Sequence, residues 1–208
     1  MFDILITTLK VSLTASVIAF LIALPIILTL ANWQESTGKR ITILGLTMAN
    51  SLPPVFVGLV LYLLFSYAGF FKQMDLLFTQ SAMVAAQVVL AFPVVVISAY
   101  AAIKGYVSSR ANFFSMLRLT RWQRLTIILQ ENANTFQVAY LVGLGRCLSE
   151  VGAVMIVGGN IRGDTRVLTS SIVLETSRGN IDQAVYLGLT LLAISILVSA
   201  TILVFQRK

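Results

Sequence analysis

The sequence predicts an all-α membrane protein of five transmembrane helices, with the N-terminus outside and the C-terminus in the cytoplasm. Three observations carry this prediction. Of the 208 residues, 58% are hydrophobic and 11% charged, against about 45–50% and about 25% in soluble domains. Five apolar runs reach the length of about 20 residues that a helix needs to cross a bilayer core. The basic residues gather in alternate loops, as membrane orientation requires. A mean hydropathy of +0.91 excludes disorder, which needs low hydrophobicity. The length suits one domain over residues 1–208.

The first span is predicted over 5–31, with Pro25 near its inner end. The chain begins Met-Phe-Asp and lacks a basic leader, and its apolar run exceeds the roughly 7–15 residues of a signal core, so the segment is expected to stay as a membrane helix. The second span, 41–68, contains Pro53 and Pro54. Two missing backbone donors at mid-membrane predict a kink or break. The third span, 82–103, contains Pro93. The fourth, 136–157, is glycine-rich, and Gly145, Ser149 and Ala153 form a small-residue stripe suited to close helix packing. The fifth covers 184–205.

Charge orients these spans. Lys39, Arg40, Lys104, Arg110, Arg118, Arg121, Arg124, Arg207 and Lys208 fall on one side, with only Glu35 and Glu131 against them. The other side holds Lys72, Arg162, Arg166 and Arg178 against five acids, namely Asp3, Asp75, Asp164, Glu175 and Asp182. The basic side is therefore cytoplasmic. The net charge of +7 follows from topology, and no nucleic-acid partner is expected.

Histidine is absent and Cys147 is the single cysteine. This excludes a histidine-based catalytic centre, a Cys/His metal cluster and an intrachain disulfide. No catalytic or metal-binding residue is predicted. The phosphate-loop pattern is also missing, so any ATP-driven step belongs to another polypeptide.

Three segments carry candidate function. The long loop 106–130 holds Phe113, Phe114, Leu117, Leu125 and Ile128 in an interrupted apolar pattern, with Arg118, Arg121 and Arg124 every third residue. Ser108 and Ser109 are expected to cap a helix start there. The helix suits either a solvated interfacial position or docking into a cytoplasmic partner. In the fourth span, Arg146 and Glu150 stand four apart and can pair. Charges inside a membrane face a bundle interior or a watery path, so the pair either fixes packing or serves as a gate. After Gly158, Gly159 and Asn160, a loop predicted to lie outside carries Thr165, Thr169, Ser170 and Ser171, which suit either polar lining or helix caps. Its Arg-Gly-Asp triplet at 162–164 is short enough to arise by chance.

The order of third helix, basic loop and glycine-rich helix resembles the permease subunit of ABC importers. That family's loop reads E-A-A-x3-G-x9-I-x-L-P. Aligning L-R-L-T-R-W places Arg118 at the usual glycine. Asn112, Phe113 and Phe114 then replace E-A-A, and Gln130-Glu131 replaces L-P. A resemblance to the tungstate-uptake permeases covers nearly the whole chain, with the related molybdate permeases sharing the layout. It rests on N-S-L-P-P-V-F-V-G-L at 50–59, L-L-F-T-Q-S-A-M-V-A-A-Q at 76–87, G-R-C-L-S-E-V-G-A-V-M-I-V-G-G-N-I at 145–161 and T-R-V-L-T-S-S-I-V-L-E-T at 165–176.

The resemblance implies an importer of a tetrahedral oxyanion working by alternating access in a homodimer. It implies two ATPase subunits, carrying ATP and magnesium, on the inside, and an oxyanion-binding protein outside. The coupling helix to the ATPase would then comprise Asn112, Phe113, Phe114, Ser115, Leu117, Arg118, Thr120, Arg121, Trp122 and Arg124. Pathway or gate candidates are Ser51, Pro53, Pro54, Arg146, Ser149, Glu150, Gly158, Gly159 and Asn160. The chain itself holds no cofactor in this scheme. The alternatives are a permease for molybdate, sulfate or another solute, and an uncoupled channel or membrane scaffold.

Overall fold

The computed structural model describes residues 1–110, 114, 116 and 119–206, with backbone alone at 70, 71, 121 and 202–206. Every regular element among the described residues is helical. The longest helices are α1 (Phe2–Asn32) and α5 (Gln80–Ser109). Between them come α2 (Thr37–Asn50), α3 (Pro54–Tyr67) and the single turn α4 (Gly69–Lys72). Beyond α5 lie α6 (Arg121–Glu131), α7 (Ala133–Ser149), α8 (Gly152–Gly158), α9 (Leu168–Ser177) and α10 (Ile181–Gln206).

Three helices, α1, α5 and α10, are each long and apolar enough to cross a membrane. Two bent pairs join them, α2 with α3 at 96° and α7 with α8 at 61°. Counting each bent pair as one span gives five.

The centre of the fold is the packing of α1 along α5. Ala15, Ala19 and Ala23 repeat every fourth residue on one face of α1, and all are fully buried. Ala82, Ala86, Ala91 and Ala99 do the same for α5. Such small side chains let two backbones approach closely, and the resulting contact area drives association where lipid offers no hydrophobic contrast. The opposite face of α1 exposes Ile6, Leu13, Val17 and Leu21, as a lipid-facing surface does.

Polar contacts fix which ends lie together. At one end Glu35 Oε1 pairs with Lys39 (3.1 Å) and with Lys104 (3.0 Å). Arg110 pairs with Glu131 at 3.4 Å. At the other end Gln80 donates to the Asp164 carbonyl (3.0 Å), and Leu168 N donates to the Thr8 hydroxyl (2.9 Å). Among the described residues, Glu35, Lys39, Lys104, Arg110 and Glu131 therefore gather at one end of α5 and Asp164 lies at the other.

Two expectations need correction. Ser108 and Ser109 close α5 instead of starting a helix, since no breaker interrupts α5 before Arg110; Ser109 donates to the Tyr106 carbonyl at 2.9 Å. The start of α6 is capped by Thr120, in a reciprocal capping box with Gln123. Within the predicted coupling loop, Ile128 of α6 is fully buried in a core cluster with Phe114 and Phe136. The stripe Gly145, Ser149, Ala153 does not run down one helix, because α7 ends at Ser149; a Cβ on Gly145 would meet nothing. Gly143, packed on Val95, is the glycine of α7 that meets α5.

Candidate functional site

Two interrupted helices lie side by side. The α2–α3 break spans Ser51 to Pro53, where Pro53 is extended and Pro54 occupies the first position of α3. That position suits proline, whose missing N–H would be unpaired there anyway. The α7–α8 break falls at Glu150 and Val151, without any proline. The two are pressed together by glycine. A Cβ on Gly58 of α3 would lie 2.7 Å from the Ala153 backbone of α8, and one on Gly152 would lie 2.7 Å from Val55 Cγ2.

A helix broken at membrane depth frees backbone groups that water cannot reach, so the protein must supply partners. Three of the freed groups at the second break have one from a side chain. The Cys147 carbonyl accepts from Gln87 Nε2 of α5 at 3.0 Å. The Glu150 carbonyl accepts from the Thr169 hydroxyl of α9 at 3.0 Å. Ala153 N donates to the Glu150 carboxylate at 3.2 Å. The other oxygen of that carboxylate faces Arg146 at 3.7 Å. Glu150 is 4% exposed, and its charge is balanced both by the guanidinium and by the start of α8.

The predicted pathway residues divide into two groups. Ser51, Pro53, Pro54, Arg146, Ser149 and Glu150 belong to the paired breaks. Ser51 and Ser149 are exposed, and their hydroxyls donate to carbonyls one turn back, Thr47 (3.3 Å) and Arg146 (3.0 Å). Gly158, Gly159 and Asn160 sit at the far end of α8, about 10 Å along its axis.

That turn is tightly held. Gly159 adopts φ +68° and lets the Phe78 ring approach; Gly158 lies on Met83. The Asn160 carboxamide oxygen accepts from Ser170 at 2.9 Å, and the Gly158 carbonyl accepts from Thr165. Thr165, Thr169, Ser170 and Ser171 are all buried, and the first three act as capping and bridging groups.

One residue of the site, Gln87, carried no earlier assignment, and Thr169 was expected as polar lining or a helix cap. Gln87 and Thr169 supply the bonds that hold the break open, and Gln87 is a lone amide in an otherwise apolar stretch of α5. That isolation was the available signal.

Of the predicted docking residues, Asn112, Phe113, Ser115, Leu117 and Arg118 lie outside the described residues, as does the side chain of Arg121. Phe114 is buried, with the Arg124 guanidinium 4.9 Å from its ring centre. Trp122 is 80% exposed at the start of α6. Met116, 81% exposed, joins it as an apolar surface group. No group of three or more metal-ligating side chains occurs among the described residues.

The geometry is that of a multi-pass helical membrane protein with discontinuous spans around a self-neutralised polar core. No protein-family model matches the chain. A tungstate uptake system permease protein of Peptoclostridium acidaminophilum is 36% identical over 200 residues, covering 95% of this chain and 86% of that one. A probable anion ABC transporter permease protein of Haloferax volcanii is 33% identical over 198 residues, covering 93% and 85%. A tungstate uptake system permease protein of Campylobacter jejuni is 36% identical over 162 residues, covering 76% and 66%. The chain is a membrane permease by fold and by kinship. It belongs to the ABC transporter permeases, in the group that includes tungstate-uptake and anion permeases.

Proposed function

We propose that the chain is the translocating subunit of an ATP-driven importer for a tetrahedral oxyanion, tungstate. Two copies form the pathway and switch it between inward-open and outward-open states. Two ATP-binding subunits, holding ATP and magnesium, dock on the cytoplasmic side, and an extracytoplasmic binding protein delivers the anion. The N-terminus lies outside and the C-terminus inside, which puts the paired ends of α1 and α5 at Glu35 and Lys104 in the cytoplasm.

One observation carries this reading: the paired breaks contain charge but no net charge. Arg146 and Glu150 neutralise each other, and the remaining polar groups are uncharged: serine and threonine hydroxyls, the Gln87 amide and backbone. A conduit must bind its ion weakly enough to release it. A bare arginine at low dielectric would hold a divalent anion, whereas a compensated pair lets it pass along hydroxyls and N–H groups. Recognition then falls to the binding protein. Coupling falls to the segment from Asn112 to Arg124, where the Thr120 cap fixes the start of α6 and presents Trp122.

The test is co-purification with the ATPase and the binding protein, followed by ATP hydrolysis with the receptor loaded by tungstate, molybdate or sulfate. Tungstate is expected to stimulate most. Stimulation by molybdate alone would reassign the substrate, and hydrolysis indifferent to the receptor would remove the importer reading. The double variant Arg118→Glu with Arg121→Glu is expected to release the ATPase. Unchanged association and uptake would exclude the docking role.

A further inference from the structure

A second polar feature lies away from the breaks. The end of α1 and the start of α6 enclose a cleft of about 420 Å³ lined by Leu28, Thr29, Asn32, Trp33, Arg124 and Leu125. Two atoms of its polar residues are buried without any hydrogen-bond partner: Asn32 Oδ1, an acceptor, and Arg124 Nε, a donor. The Asn32 amide nitrogen is already committed to the Leu28 carbonyl at 2.8 Å.

Arg124 also lacks a counter-charge among the described residues. The two acids at this end of the molecule are taken, Glu35 by Lys39 and Lys104, and Glu131 by Arg110. Its guanidinium has only the face of Phe114 beneath it. Orphaned buried polar atoms are rare in folded proteins, and an unfilled one costs about 1–3 kcal/mol. A donor with positive charge, an acceptor and an apolar wall within one cleft describe a ligand with an anionic oxygen, a hydroxyl and a hydrocarbon part.

We propose that this cleft binds the headgroup of an anionic glycerophospholipid bearing free hydroxyls, of the phosphatidylglycerol type. A phosphodiester oxygen accepts from Arg124 Nε–H. A headgroup hydroxyl donates to Asn32 Oδ1. The first methylenes lie on Leu28 and Leu125. Trp33, 45% exposed on the rim, takes the interfacial position that tryptophan favours. Basic pockets at the ends of membrane helices suit such headgroups, and this one joins α1 to the segment assigned above to docking. The inference stands on the cleft alone and does not depend on which solute is carried.

The chain has two tryptophans, so Trp122→Phe leaves Trp33 as the only emitter. The full chain carrying that change is placed in phosphatidylcholine vesicles doped with brominated phosphatidylglycerol, phosphatidylmethanol or phosphatidylcholine. Brominated phosphatidylglycerol is expected to quench Trp33 at about one tenth the mole fraction that phosphatidylcholine needs, the ratio for one charge-assisted hydrogen bond. Arg124→Gln is expected to erase the preference for anionic lipid. Asn32→Leu is expected to keep that preference and lose the advantage of phosphatidylglycerol over phosphatidylmethanol, which has no hydroxyl. Equal quenching by all three lipids in the unaltered cleft would overturn the proposal. So would relief of quenching by millimolar inorganic phosphate, which would make the cleft a site for soluble anions. The lipid comparison and Asn32→Leu decide the matter even where Arg124→Gln fails to fold.

Discussion

The continuous helices α1 and α5 and the interrupted pairs α2–α3 and α7–α8 respond differently to the residues they contain. Pro25 lies inside α1 and Pro93 inside α5, and neither helix breaks. The α7–α8 break contains no proline at all. A missing donor therefore does not by itself end a helix in this fold. At the α7–α8 break, partners stand ready for backbone groups that the break exposes. Gln87 and Thr169 provide those partners at Cys147 and Glu150. Around Pro25 of α1 the buried neighbours on the helix, Ala23, Ile27 and Leu28, are apolar, and the helix continues through its proline.

Four changes test this contrast. The largest effect is expected from Glu150→Leu. It leaves Arg146 uncompensated and removes the acceptor for Ala153 N, and loss of one member of a buried pair costs up to about 3–5 kcal/mol. Arg146→Leu should cost more than a surface substitution and less than Glu150→Leu, because the carboxylate it strands keeps its hydrogen bond from Ala153 N. Thermal unfolding in detergent measures both. Equal and negligible shifts would mean that the pair does not hold the break.

Gly58→Val comes next. Its Cβ would fall on the Ala153 backbone, which cannot move aside as a flexible side chain can. The expected cost is about 1–3 kcal/mol, the usual penalty of overpacking. Gly45→Val in the same bent pair meets open space and serves as its control, so equal losses from the two would show that α3 and α8 are not tightly apposed.

Gln87→Leu is expected to cost about 1 kcal/mol, since it strands one carbonyl that keeps a second, longer bond from Glu150 N. Cys147 is buried and is the only thiol, so its rate of maleimide labelling reports opening of the break. A rise of about fivefold corresponds to that energy. An unchanged rate would remove Gln87 from the set of groups that hold the interruption.

The smallest effect concerns pH at the end of the molecule that holds Glu35. Hydrogen bonds from Lys104 and then Lys39 hold the Glu35 carboxyl below the ordinary carboxylate range. A depressed pKa means that the stabilisation is present above the unfolded value, about 4.3, and fades as pH falls through the folded one. Trp33 emission is therefore expected to change only below about pH 4, and Glu35→Gln should flatten that change. The group is exposed, so screening by salt reduces the effect further.

Much of this architecture is legible in the chain because bilayer physics is simple. Apolar length marks the spans, and Pro53-Pro54 marks the first break directly, since two absent donors leave the helix no way through. Arg146 and Glu150 are readable as a pair from their spacing. The second break was not legible. Its segment, Leu148 to Gly152, contains no proline, and the partners that accompany it are two side chains 60 and 19 positions away in sequence.

What the sequence alone determined is the class of molecule and the placement of its apolar helices. These depend on local composition measured against a slab of hydrocarbon, and local composition is what a linear chain displays. What only the tertiary structure decided is where a helix stops without proline, which glycines meet a backbone and which donors and acceptors remain unpaired. Those outcomes depend on competition between a helix's own hydrogen bonds and partners brought near by folding, and that competition exists only once the helices have met.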